Sequence, residues 1–297
     1  MSDAQDLGGR GGFGGGRGGG GGRPQRGIQR LFEVVRSERI APQLVRLHLT
    51  GDDFDAFVEN AGREKLALTD KYVKFLFARP ELGLEPPYDL EALRAQLAPG
   101  DLPVRRTYTI RSIDFDAKTI AVDFVVHGDE GLAGPWALRA RPGDKVVFSG
   151  PGARYHPDQG DDVTHVIIAD DSAIPAAAAA IDALPPAAKG IALIEVPDEN
   201  GHVELNAPAG LEVRWIHRDG APYGVPLAEA VEALERPAGA IDAFAHGERE
   251  AVKRIGAVLH GVWGIDRQEM SISAYWAYGR TEDGFQEEKR SPVGQIL

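Results

Sequence analysis

From Asp162 onward the chain alternates short apolar runs with helical stretches, and this alternation restricts the fold more than any other feature. The runs are VTHVIIAD, GIALIEVP, LEVRWIHR, AIDAFAHG and MSISAYWAYGR, and among them lie SAIPAAAAAIDAL, VPLAEAVEALER and EREAVKRIGAVLHG. Apolar strands linked through crossover helices imply a parallel sheet covered on both faces. Ligands of such sheets sit outside the carboxyl ends of the strands. That rule singles out Asp170–Ala176, Glu195–Asp198, His217–Asp219, Ala245–Glu248 and Tyr275–Arg280.

The preceding stretch has a different texture. RLFEVVRSERIAPQLVRLHLTG reads as two strands around a Pro-containing turn, and DKYVKFLFARP adds a third. An acidic, Pro-rich insert, 80–101, separates these from RRTYTIRSID, TIAVDFVVHG and GDKVVFSGP. Six short strands with few helices predict a closed antiparallel β-barrel. The expected organisation is therefore a two-domain β plus α/β protein, with a barrel over 28–155 and an α/β domain over 156–297. Residues 1–27, rich in Gly and Arg, cannot bury enough apolar surface to order themselves and read as a disordered tail. Its Arg-Gly-Gly units resemble RNA-binding segments, but a solvated tail is the favoured reading.

Composition removes several functions. With 45 acidic and 33 basic residues the formal charge is −12, so general adhesion to nucleic acid or anionic membrane is not expected. Zero cysteines exclude disulfides, thiolate metal sites and a catalytic thiol. Redox chemistry would need an organic cofactor. The eight histidines show no metal-ligand spacing, so no protein-bound metal is assigned. No apolar run approaches the ~20 residues of a membrane span, and the polar start is unlike a signal peptide; a cytoplasmic monomer is expected.

The strand VRRTYTIRSID carries the most informative chemistry. Alternation puts Arg106, Tyr108 and Ile110 on one face and Arg105, Thr107, Thr109 and Arg111 on the other. A guanidinium beside an aromatic ring suits a ligand that is flat at one end and anionic in the middle. An exposed basic strand is the plain alternative. Thr109 reaches the same ligand only through a strand end, a bulge or its backbone. In FVVHGDEGLAGPWALRARPGDKVVFSGP a strand end at His127 and Gly128 leads to a short helix beginning near Pro135, whose free N–H groups favour an anion. Trp136 there either covers a ring or fills the core.

Taken together, VRRTYTIRSID, VDFVVHGDEGLAGPWA, GDKVVFSGPGARY, DDSAIPA and YWAYGRTEDGFQEEKR resemble the siderophore-interacting proteins, FAD-dependent ferric-siderophore reductases of the ferredoxin reductase superfamily. The resemblance implies FAD as cofactor, with Arg106 on its phosphate, Tyr108 against the isoalloxazine and Thr109 near its reactive edge. His127 and Gly128 would lie against the cofactor, and Ala133, Gly134, Trp136 and Ala137 would line its pyrophosphate and adenosine end. It makes Asp170 and Ser172 the nicotinamide-side turn. Electrons would come from NADH, NADPH or ferredoxin and pass to a ferric siderophore, hydroxamate or catecholate, to release Fe(II).

ADDSAIPA departs from the G-x-G-x-x-G phosphate fingerprint, and its aspartates oppose a pyrophosphate. The absence of an arginine directly after IALIEVP leans towards NADH, although Arg214 and Arg218 on the next strand offer charge. Candidate siderophore contacts are Trp276, Arg280 and Lys289, together with Lys71 and Lys74, read as sharing one strand face. A non-reducing carrier or sensor and a general flavin or ferredoxin reductase are the rival readings.

Overall fold

The computed structural model describes residues 28–126, 131–289 and 291–297. The tail 1–27, with its disorder and RNA readings, and His127 and Gly128 lie outside the described residues.

Six strands close the expected barrel. They are β1 (Arg30–Ala41), β2 (Leu44–Thr50), β3 (Tyr72–Phe77), β4 (Val104–Asp114), β5 (Thr119–Val125) and β6 (Lys145–Gly152), in the order β1-β2-β5-β4-β3-β6 with antiparallel pairing throughout. Phenylalanines at alternate positions fill the interior. Phe148 lies 4.7 Å from Phe32, 5.4 Å from Phe75 and 5.7 Å from Phe57, centroid to centroid. Phe57 comes from α1 (Phe54–Ala61), which with α2 (Arg63–Ala67) adds Phe54 and Leu66 to that core. These helices lie where the sequence reading placed none, because they are too short for a full apolar period to show. The insert forms α3 (Leu90–Gln96), and α4 (Ala133–Arg139) buries Ala133 and Ala137 in the barrel core.

The second half is a five-stranded parallel sheet. Its strands are β7 (Val163–Ala169), β8 (Lys189–Val196), β9 (Gly210–His217), β10 (Ala240–Glu248) and β11 (Met270–Trp276), in the order β11-β10-β7-β8-β9. The direction of winding changes between β7 and β10. Helices α6 (Val225–Glu232) and α7 (Arg249–Gly256) share a core on one face, and α8 (Glu282–Glu288) follows the last strand. On the other face, α5 (Ile174–Asp182) buries every residue from Ile174 to Ile181. A helix apolar all round must be covered all round: α5 packs on the sheet with Ile167 and Ile194 and shares that core with Ala41 and Leu44 of the barrel. Its alanines permit this close approach, and Arg111 of β4 meets Asp182 at its end at 2.6 Å. Among the described residues no helix is long and apolar enough to cross a membrane.

One polar pair ties the barrel wall. Arg46 and Asp123 are direct cross-strand partners, joined Nε to Oδ1 at 2.6 Å and Nη2 to Oδ2 at 2.8 Å, with the Asp123 side chain only 1% exposed. Removing the arginine would strand a buried carboxylate. Arg46→Ala should therefore cost about 3 kcal/mol, measured by urea unfolding.

Candidate functional site

The barrel is not uniformly sealed. Residues 104–109 of β4 pair with β3, but β4 meets β5 only from Ile110 onward. The first half of β4 thus has an edge without a strand partner, opposite the end of β5 and the start of α4. Arg106 and Tyr108 project from this segment on the same side, as alternation requires. Tyr108 is half-buried, its ring 4.3 Å from Phe124 and 6.1 Å from Phe75, and burial pushes its phenol up. Arg106 donates to the Arg105 carbonyl at 2.7 Å and has a loose ion pair, 3.7 Å, with the exposed Asp283 of α8. Its guanidinium is available to a stronger anion.

Thr109 occupies the opposite face, and both faces of the strand are covered here. Ile110 points into the barrel core, whereas Thr109, 6% exposed, lies near the side chain of Tyr275 at the end of β11. Thr109 therefore lies where the two domains meet. No bulge is needed to bring it there.

Two helix starts differ in a way that bears on ligands. At α4, Leu132 supplies no side-chain cap, Pro135 has no N–H, and small residues line the approach. A Cβ on Gly134 would come within 3.3 Å of the Val125 carbonyl. This entry, the free edge of β4, Arg106 and Tyr108 together fit a flavin with its phosphates. Trp136 is partly buried, with its ring beside Phe77 (5.2 Å) and Phe124 (5.8 Å), and Ala137 is wholly buried.

At α5 the corresponding donors are taken. One oxygen of Asp170 accepts from the N–H groups of Ser172 (3.0 Å) and Ala173 (3.2 Å) and from the Ser172 hydroxyl (2.5 Å). The other accepts from the Glu248 N–H (2.7 Å) and the Trp276 indole (2.8 Å). Gly247 passes so close that a Cβ would fall 2.8 Å from this carboxylate. Similarly, Glu195 accepts from Gly224 (2.9 Å) and Leu227 (3.2 Å) at the start of α6, and Glu248 from Glu250 (2.6 Å) and Ala251 (3.1 Å) at the start of α7. All three crossover helices are capped from within. The residues here do not fit a dinucleotide pyrophosphate seated on a helix start, and Asp170 and Ser172 serve each other.

Arg218 is drawn into the same network. It bonds Glu195 at 2.9 Å, stands 3.5 Å from Asp171 and lies over the Tyr223 ring at 4.1 Å. Arg214 pairs with Glu212 on the exposed edge. Neither is positioned as an unpaired clamp for a 2′-phosphate.

Among the expected siderophore contacts, Lys71 and Lys74 do not share a face. Their spacing of three reverses direction on a strand: Lys71 is buried and donates to the Leu68 carbonyl at 3.0 Å, while Lys74 is exposed. Lys74 lies near enough to Lys289 that its charge, after desolvation, helps hold the Lys289 ammonium below its ordinary value. Arg280 is paired with Glu288 at 2.6 Å, and the Trp276 indole N–H is committed to Asp170. Lys289 itself lies over the Phe285 ring at 4.8 Å, and Lys71, Arg280 and Trp276 also have internal partners. The capping role of Glu248 was legible as an acid directly before a helix. That of Glu195, 29 residues from Gly224, was not.

Burial and the adjacent Asp171 push the Asp170 carboxyl up to about 7, and burial raises Asp171 to about 6. An acid raised in the fold retains protons that the unfolded chain has lost, so stability should fall as pH rises from about 4 to about 7. Asp171→Asn should flatten that decline, as read by urea unfolding across the pH series; an unchanged slope would assign it elsewhere.

Comparison with known proteins agrees with this architecture. Residues 33–155 match the siderophore-interacting FAD-binding domain, and residues 163–279 match the siderophore-interacting protein model. The ferric vibriobactin reductase ViuB of Vibrio cholerae is 30% identical, covering 89% of this chain and 95% of its own. The NADPH-dependent ferric-chelate reductase of Escherichia coli is 28% identical over 82% of this chain and 91% of its own. A siderophore utilization protein from T. fusca superposes with a TM-score of 0.70 at 35% identity, covering 86% of this chain and 94% of its own. With both domain models matched in order along most of its length, the chain belongs to the siderophore-interacting protein family.

Proposed function

We propose that this protein is an FAD-dependent ferric-siderophore reductase that passes electrons to Fe(III) in a siderophore and releases Fe(II). The observation that carries the reading is the open edge of β4, where Arg106 and Tyr108 lie beside the uncapped start of α4. Reductase names among the relatives support the same conclusion.

FAD, when bound, supplies the ability to take up a reducing pair and release electrons singly. Arg106 binds its pyrophosphate, and the Ala133–Gly134 entry admits the phosphates to backbone N–H groups. Tyr108, held by Phe75 and Phe124, orients the flat end. Thr109 and Tyr275 close the domain junction and exclude water from it. Lys74 and Lys289 attract an anionic chelate. Hard oxygen ligands hold the larger, less charged Fe(II) more weakly than Fe(III), so one-electron reduction loosens the complex without an acid or base from the protein.

The donor is a reduced pyridine nucleotide or ferredoxin. Because Asp170, Glu195 and Glu248 cap the helices of the sheet, a nucleotide donor engages without a pyrophosphate seat, and the internal pairing of Arg218 leaves NADH and NADPH weakly distinguished. Their kcat/KM values should therefore agree within about tenfold, a difference of about 1.4 kcal/mol; a larger preference for NADPH would require an undiscovered phosphate contact.

Arg106→Ala should weaken FAD binding by about 10- to 100-fold, the scale of one charge-assisted contact, as measured by flavin fluorescence titration. In the wild type, anaerobic reduction followed by a ferric siderophore should restore the oxidised flavin spectrum as Fe(II) appears in a chromogenic trap. Bound chelate without Fe(II) release would favour a carrier or sensor, and preference for free flavin as acceptor would favour a general flavin reductase.

A further inference from the structure

Two histidines that the flavin site does not use meet at the carboxyl end of the sheet. His202 and His217 face each other with their Nε2 atoms 2.7 Å apart, both side chains exposed. Fifteen residues separate them in the chain, so no local spacing announces the pair. His217 ends β9, directly opposite Val196 at the end of β8. Beyond it the two strand ends stay tied, the N–H groups of Arg218 and Asp219 donating to the carbonyls of Val196 (2.9 Å) and Pro197 (3.0 Å). His202 follows the buried Gly201, whose carbonyl accepts from Gln43 of the barrel at 3.1 Å and where a Cβ would fall 2.9 Å from Val196. The His202 ring lies on Trp215, 4.5 Å between centroids and 15° from parallel, and Trp215 in turn packs on the core between the sheet and α5. Both imidazoles are therefore held on fixed backbone, one with its plane set by an indole.

We propose that His202 and His217 form an exchangeable site for a borderline divalent transition-metal ion and, resting on the reductase reading above, that the ion is the Fe(II) set free by reduction. Two ring nitrogens this close need a positive centre between them. In a hydrogen-bonded pair one Nε2 carries the proton that the other accepts. A metal ion replaces that shared proton, each nitrogen then lying about 2.0–2.1 Å from it. Two such bonds at a right angle need the nitrogens about 3 Å apart, an opening that exposed side chains reach by small rotations. Imidazole suits Fe(II), Ni(II), Cu(II) and Zn(II), whereas Fe(III) keeps to the hard oxygens of its chelator, so the pair takes the product and leaves the substrate. Among the described residues no group of three or more His, Asp or Glu side chains is placed to hold a metal. The remaining coordination positions fall to water, which makes the site open rather than structural and lets the ion pass on.

The test is calorimetric titration of untagged protein with nickel and zinc chlorides, and with a ferrous salt under anaerobic conditions, in the wild type, His202→Ala, His217→Ala and the control His48→Ala. The wild type should bind a single equivalent of each ion, Ni(II) more tightly than Fe(II). Either His202→Ala or His217→Ala should weaken each metal by about 10- to 100-fold, no less than loss of an outer-shell partner costs elsewhere, and His48→Ala should not. Because His202 lies on Trp215, bound Ni(II) should also quench tryptophan fluorescence, a change absent from Trp215→Phe. No binding of Ni(II) or Zn(II), or affinities equal in the wild type and both histidine variants, would overturn the site. Binding of Ni(II) and Zn(II) without Fe(II) would overturn the assignment of the ion. The ferrous salt is supplied directly, so these outcomes do not depend on flavin; failure of the reductase reading shows separately, as absence of Fe(II) release from a ferric siderophore.

Discussion

A carboxylate buried without donors would be intolerable, and the need to satisfy Asp170 organises the second domain. Its two oxygens accept from the turn that opens α5, from the end of β10 and from the end of β11. Each contact fixes a strand end relative to the first strand of the sheet. Gly247 is required at the close approach, because any side chain there would press on the carboxylate. Glu195 and Glu248 repeat the arrangement at α6 and α7. The positive ends of all three crossover helices are consequently neutralised internally.

The barrel solves its anion problem differently. Its short helix α4 receives no side-chain cap, and β4 parts from β5 just where Arg106 and Tyr108 project. The same contrast shows in the cations: Arg106 has only a loose pair with the exposed Asp283 at 3.7 Å, whereas Arg218 of the sheet is locked in ion pairs. The two halves are joined by α5, whose alanine surface lets barrel and sheet share one core.

Much of the fold was legible in the chain. Six short strands followed by alternating apolar runs and helices allowed one architecture, since each apolar face had to be covered. The Arg106–Tyr108 face followed from a period of two and stayed intact in the barrel. Misplacements came where periodicity is silent about partners. Lys71 looked like a surface cation until its ammonium was found on the Leu68 carbonyl. Trp136 was compatible with cofactor or core, and its partly buried ring packs beside Phe77 and Phe124.

The sequence by itself determined the order of the domains, the exclusion of thiol and disulfide chemistry, and the pairing of a cation with an aromatic on one strand face. These depend on residue identity and local period alone. Only the tertiary structure decided which acids cap which helices, which cations remain unpaired, and where the barrel wall opens. Glu195 and Gly224 are 29 residues apart, and Asp170 and Trp276 are 106. Desolvation makes those contacts obligatory once the chain has closed, and nothing local in the sequence specifies which distant group will answer.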